Sequence, residues 1–206
     1  MQTTCDGIIL SGGLNRRMGG QNKALLKVDG LSFLEHIVST LNECFGQLFL
    51  VTKNHRFYES SSYRIVKDIV NIHSPLSGIH AGLVSTNADY GFCTSCDTPL
   101  LKTEFVRILI DEIDSEYDII VPSSGSYFQP LCAVYSKRCI PIIESYLKNG
   151  NVKTDGIYGL LKVKKVDYEQ LQRADPQLKS FVNVNTPDDL KIVRQILKGR
   201  PTEIAG

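Results

Sequence analysis

The chain has 206 residues, of which 42% are hydrophobic and 22% charged, enough for one domain with a proper buried core. A formal net charge of +1 gives no electrostatic reason to expect nucleic acid or an anionic membrane as a partner. No run of about 18 apolar residues is present, so no membrane span is expected.

The first residues, MQTTCDG, lack the basic and apolar regions of a signal peptide. Most of the six cysteines sit in apolar runs (Cys93, Cys132) or helix-like segments (Cys44, Cys139), which predicts reduced thiols and a cytoplasmic location.

In chain order, the apolar run Gly7 to Leu10 reads as a short buried strand. It opens into Ser11-Gly12-Gly13, then Arg16, Arg17, a second glycine pair (Gly19, Gly20) and Lys23. Glycines let backbone N–H groups approach an anion closely, Arg supplies a planar fork of donors, and Lys adds a mobile charge. The combination suits a polyphosphate. It is neither a Walker A loop, because Ala24 and not Ser or Thr follows Lys23, nor a G-x-G-x-x-G fingerprint. The plain alternative is a glycine-rich turn with solvated arginines.

Ala24 to Val28 is a short apolar piece ending at the turn signal Asp29-Gly30. Phe33, Leu34, Ile37, Val38 and Leu41 recur at helical spacing, with Ser32 and Glu35 forming a capping box. Strands are predicted at Leu48 to Val51 and Arg64 to Val66, the latter ending at Asp68. Pro75 suits the first turn of a helix whose Ile79, Leu83 and Val84 face the core. Tyr90 to Thr94 is a strand, Phe105 to Ile113 a helix, and Asp118 to Val121 and Leu131 to Tyr135 are neighbouring strands. Ile140 to Leu147 is helical, Leu161 to Val166 is a late strand, and a final helix starts near Pro187.

This alternation predicts a single α/β domain, a mostly parallel twisted sheet with helices on both faces. The core is expected over about 5–197, with a flexible tail at 198–206. Ligands of such sheets sit beyond the carboxyl ends of the strands, where the glycine-rich loop, Asp68 and Asp97 all fall.

Asp97, at the end of a buried strand and before Thr98-Pro99, suits Mg²⁺, which takes one or two carboxylates plus substrate phosphates and water. It suits a turn or helix cap equally well. Asp68 is a second candidate. Cys93 and Cys96 are formally C-x-x-C, but no second pair follows at zinc spacing and the two point to opposite faces of a strand, so packing is expected. His36, His55, His73 and His80 show no metal-ligand spacing. Near the end, Thr186 reads as an N-cap and Pro187 as the first helical position, with Asp188 and Asp189 at the positive helix end. Asn183 and Asn185, two apart in extended chain, point the same way, toward a ligand or a loop to be held.

With these pieces in place, the chain resembles the molybdenum cofactor guanylyltransferases, the MobA family, from about Gly7 to about Val193. LSGGLNRRMGGQNK looks like the family's LAGG-x-x-x-RMGG-x-DK loop, and Pro75-Leu76-Ser77-Gly78 like its PLAG segment. Cys96-Asp97-Thr98-Pro99 looks like its CDTP metal corner, Gln129-Pro130-Leu131 like the start of its later strand, and FVNVNTPDDL like its FxNxNTPEDL ending.

The resemblance implies a Rossmann-like nucleotidyltransferase that moves GMP from Mg·GTP to the terminal phosphate of molybdopterin and releases pyrophosphate. It implies that Leu10, Ser11, Gly12 and Gly13 line the nucleotide, with Arg17 and Lys23 on the phosphates. It further implies Asp97 on Mg²⁺, Asp68 on the nucleotide, and Gly78, Asn183 and Asn185 toward the acceptor or metal. Cofactor-delivery proteins would be further partners. Thr52 departs from the Asn of some members, and the stretch after Gly150 offers only Lys153 where relatives are rich in Arg. A cytidylyltransferase, a sugar-1-phosphate nucleotidyltransferase and a non-catalytic nucleotide-binding module stay open as alternatives.

Overall fold

The computed structural model describes residues 4–12, 22–68, 72 and 74–198. Its first strand, β1 (Cys5–Ser11), has two Ile and a Leu in succession and is buried from Gly7 to Ser11. Such a run has no polar face, so it needs cover on both sides. Alternation supplies it: Ile9 faces a cluster with Leu34, Ile37, Leu41, Leu50, Phe92 and Phe105, while Ile8 faces one with Val51, Leu76, Ile79, Leu83, Cys93 and Ile143.

The other strands are β2 (Lys27–Val28), β3 (Leu31–Ser32), β4 (Leu48–Thr52), β5 (Arg64–Lys67), β6 (Tyr90–Ser95), β7 (Ile119–Ser124), β8 (Tyr127–Phe128), β9 (Cys132–Ser136) and β10 (Val163–Asp167). The helices are α1 (Phe33–Asn42), α2 (Pro75–Ser85), α3 (Thr103–Asp111), α4 (Cys139–Lys148), α5 (Tyr168–Gln172) and α6 (Pro187–Leu197). The main sheet has the order β10-β7-β9-β6-β1-β4-β5, with β8 on β7. β5, β4, β1 and β6 are mutually parallel, and β10 is parallel to β7. β9 runs against both β6 and β7. The expected mostly parallel α/β sheet, with helices on both faces, is therefore present.

Local signals act as read. Ser32 and Glu35 make both halves of the capping box on α1. Pro75 opens α2 behind the N-cap Ser74. Asp29 (φ 52°) and Gly30 (φ 86°) turn β2 into β3, a left-handed pair that a two-residue hairpin requires. Cys93 and Cys96 fall in the two opposite clusters, and the cysteines are free thiols.

Val84 corrects an expectation: it is 44% exposed. Five residues beyond Ile79 rotates it roughly 140° off the buried stripe that Ile79 and Leu83 share. The piece Ala24 to Val28 divides into a 3₁₀ turn, Lys23–Leu25, and β2. The short helix α5 had no apolar period long enough to announce it. Almost all of the expected tail, residues 199–206, lies outside the described residues. Among those described, no helix is long and apolar enough to cross a membrane.

Candidate active site

From β1 the chain passes through α1 to β4 on one side, and later through α2 to β6 on the other. The carboxyl ends of β1 and β6 thus bound the switch point, where open α/β sheets bind ligands. A cleft of about 330 Å³ opens there, lined by Leu10, Ser11, Gly12, Lys23, Asp68, Gly78 and Asp97 among others. Val51, Thr52, Lys53 and Leu131 line it as well.

Asp97 is held by its own corner. Ser95 Oγ donates to Asp97 Oδ1, and Thr98 Oγ1 donates to the Ser95 carbonyl at 2.8 Å. The Val184 N–H donates to the Asp97 carbonyl at 2.9 Å, which docks the late segment against the corner. Buried Val184 inserts into a small cluster with Val28, Phe33, Leu100 and Val193, and this turns both flanking asparagines outward.

Lys23 reaches this corner from the other side. Its Nζ lies 3.3 Å from Asp97 Oδ2 and donates to Asn185 Oδ1 at 2.8 Å. The two charged side chains are only 13% and 17% exposed, so their attraction is screened less than at an open surface. Asn185 is itself fixed: its N–H donates to Asp189 Oδ2 at 2.8 Å, beside the Thr186–Asp189 capping box of α6. Burial alone would raise the Asp189 carboxyl. The hydrogen bonds from Asn185 and Thr186, with Lys23 nearby, outweigh it and hold the group below the usual range.

Asp68, also in the cleft lining, accepts at Oδ2 from Ser77 Oγ at 3.0 Å and lies 3.9 Å from Lys53 Nζ. Gly78, in the first turn of α2, lines the cleft too and packs toward Leu10.

Leu10, Ser11, Gly12, Lys23, Asp68, Gly78 and Asp97 therefore line one cavity, and Asn185 joins them through Lys23. Asn183 is exposed and does not line the cleft. Gly13 and Arg17, together with Arg16, Gly19, Gly20 and His73, lie outside the described residues. Tyr58, Ser95 and Lys53 were not singled out in the sequence; each owes its place to a contact distant in the chain or to a turn, which no local pattern marks.

Among the described residues, no group of three His, Cys, Asp or Glu side chains forms a metal cage. One carboxylate at a cleft mouth instead matches an ion that takes most of its ligands from substrate phosphates and water. Burial, with Asp97 nearby, pushes the Cys96 thiol up to about 12, so it is neutral and no nucleophile. His80 pairs with Glu144 at 3.0 Å between α2 and α4, away from the cleft lining.

Fold and cleft together are those of a nucleotidyltransferase. The family model described as the MobA-like NTP transferase domain matches residues 7–165, and the chain belongs to that family. It is similar to a molybdenum cofactor guanylyltransferase of Desulfosudis oleivorans, 35% identical over 192 residues, which span 93% of this chain and 95% of that one. Its fold is similar to that of molybdopterin-guanine dinucleotide biosynthesis protein A from Archaeoglobus fulgidus. That structure matches with a TM-score of 0.82 at 25% identity, over 94% of this chain and 99% of that one.

Proposed function

We propose that this nucleotidyltransferase transfers GMP from Mg·GTP to the terminal phosphate of molybdopterin. The observation that carries the reading is the meeting of Lys23, Asp97 and Asn185 at the mouth of a nucleotide-sized cleft. Similarity to proteins named for guanylyl transfer and for molybdopterin-guanine dinucleotide synthesis supports the choice of substrates.

In this reading the nucleotide is taken by Leu10, Ser11, Gly12 and Asp68, which line the cleft, with Gly13 next in the chain and Gly78 toward the acceptor or metal. A carboxylate such as Asp68 suits guanine, whose adjacent N1–H and N2–H groups are both donors. Arg17 and Lys23 would hold the triphosphate, and Asp97 would hold Mg²⁺. The bound ion would supply charge neutralisation on the α-phosphate and the departing pyrophosphate.

An oxygen of the acceptor phosphate attacks the α-phosphorus. The bond from that phosphorus to the bridging β-oxygen breaks, and pyrophosphate leaves with its electron pair. The acceptor phosphate is already an anion at neutral pH, so no Ser–His pair is needed. The protein's share is positioning and preorganised positive charge. Lys23 is placed for this: its ammonium neutralises Asp97, and with a divalent cation on that carboxylate it would be free to pair with a phosphate. Asn185, 2.8 Å from that ammonium, would keep it near the mouth.

A thermal-shift series with Mg²⁺ and each of GTP, CTP, ATP and UTP tests the nucleotide. A ligand at a hundredfold excess over its Kd adds about 2.7 kcal/mol of stability. Stabilisation by GTP above the other three is expected. Preference for CTP would assign a cytidylyltransferase, and no shift with any nucleotide would overturn the reading.

A further inference from the structure

From Asn54 to Ser62 the chain runs over the surface, and Tyr58 is the one buried residue in that span. Its ring lies in the cluster that holds Ala24 and Leu34, and the whole residue is 6% exposed. The ring alone would be ordinary packing. The hydroxyl does something packing does not require.

The Tyr58 oxygen lies 2.6 Å from Ser11 Oγ and accepts from Asn22 Nδ2 at 2.7 Å. Ser11 is the last residue of β1, and Asn22 is the N-cap of the 3₁₀ turn that carries Lys23. One oxygen atom thus touches both ends of the stretch that leaves β1 at Gly12 and returns at Asn22. A phenol has one proton to give and lone pairs to accept, so it can accept from the Asn22 amide and donate to Ser11 at once. The other end of the Asn22 side chain is also engaged, since Oδ1 accepts from the Ala24 N–H at 3.2 Å. The amide therefore transmits the position of the phenol directly into the turn. The next residue is Lys23, whose ammonium meets Asp97 and Asn185.

We infer that Tyr58 is a positioning residue for phosphate handling: its single hydroxyl fixes both ends of the 12–22 stretch and, through Asn22, sets Lys23 against Asp97. The inference rests on the nucleotidyl-transfer reading of the cleft for its catalytic consequence, but not for the clamp itself. Two further facts agree with it. The phenol is buried and neutral: burial pushes its pKa up, against hydrogen bonds with Ser11, Asn22 and Thr52. It also comes from a segment whose other side chains, from Asn54 to Ser62, are exposed.

Tyr58→Phe removes one oxygen and leaves the ring in the core. Two measurements on the full chain decide the matter. The first is amide hydrogen exchange without nucleotide. Faster exchange at Gly12 and at Asn22 to Ala24, with β4 and α1 still protected, is expected. Unchanged exchange there, or acceleration spread evenly over β1, β4 and α1, would overturn the clamp.

The second is steady-state GMP transfer. Displacing a charged group by a fraction of an ångström lowers kcat, here by about tenfold, with a smaller change in KM for GTP. A merely structural role would lower the melting temperature and leave kcat per folded molecule unchanged; that result would overturn the positioning role. Asn22→Ala should reproduce the loss, and the double variant should be no worse than either single one, because both break the same link. If the wild-type chain transfers no GMP, the proposed function fails, and the exchange measurement still decides the clamp.

Discussion

Lys23 and Asn185 stand 162 residues apart in the chain, yet the ammonium of the first donates to the amide oxygen of the second at 2.8 Å. The contact joins the turn after the glycine-rich stretch to the segment that caps the last helix. It gives the late N-V-N-T-P sequence a task beyond helix capping. If Asn185 steadies the ammonium, Asn185→Ala lowers kcat for GMP transfer by about tenfold while the melting temperature stays close to wild type. Steady-state kinetics beside a thermal melt checks both halves.

Asp97 carries a heavier load in the proposed chemistry. Asp97→Asn keeps the shape and the contact from Ser95 but removes the charge that would hold a divalent cation. Turnover should fall by at least about a hundredfold, and the Mg²⁺-dependent part of GTP stabilisation should vanish. A variant that still shows near-normal turnover would end the metal assignment. Because Lys23 then loses its counter-charge, the melting temperature without nucleotide reports how much the pair contributes to the free protein.

Thr186 ties the site to the fold. Its hydroxyl accepts from the Asp189 N–H at 3.2 Å, and Asp189 accepts in return from Thr186 and Asn185. Removing such a cap costs about 1 kcal/mol. For a chain of this size that lowers the melting temperature by about 2–4 °C. Thr186→Ala should show that drop by calorimetry. Thr186→Ser should restore most of it.

How much of this was legible in the sequence varies with distance along the chain. The capping boxes of α1 and α6, the Asp29-Gly30 turn and the buried strands are local, and each has a local signature. Val84 was misplaced because an apolar residue beside a helical stripe need not share its face. The order in which strands pair is not local, and neither is the place of β9, which runs against its neighbours. In the cleft, Asp97 and Lys23 stood out because charged residues beside turns and glycines are conspicuous. Tyr58 did not, because an aromatic among polar residues carries no mark of what its hydroxyl will touch. Asn183 and Asn185 are both exposed, and Asn185 is the one that meets Lys23.

Part of the acid sensitivity should trace to Asp175, which is 1% exposed. Burial raises its carboxyl, but the Ser180 N–H at 2.7 Å, the Ser180 hydroxyl and Lys102, with Nζ 3.0 Å away, reverse the direction and leave it below the usual range. A carboxyl depressed in the folded state binds fewer protons there than in the unfolded chain. Its contribution to stability is therefore complete well above the unfolded value of about 4 and is lost as pH falls through the lower folded value. Asp175→Asn should be less stable than wild type at about pH 6, with the gap closing below about pH 4. Urea midpoints across that range measure it.

Transfer of the nucleotide itself is the central test. The measurement is incubation of the purified chain with Mg²⁺, molybdopterin and GTP labelled at the α-phosphate, followed by separation of the pterin product. The label should move to molybdopterin with one pyrophosphate released per transfer, and both should be lost in Asp97→Asn. Label that stays on GTP while CTP labels the acceptor, or no transfer from any nucleotide in a chain that binds GTP, would contradict the proposed function.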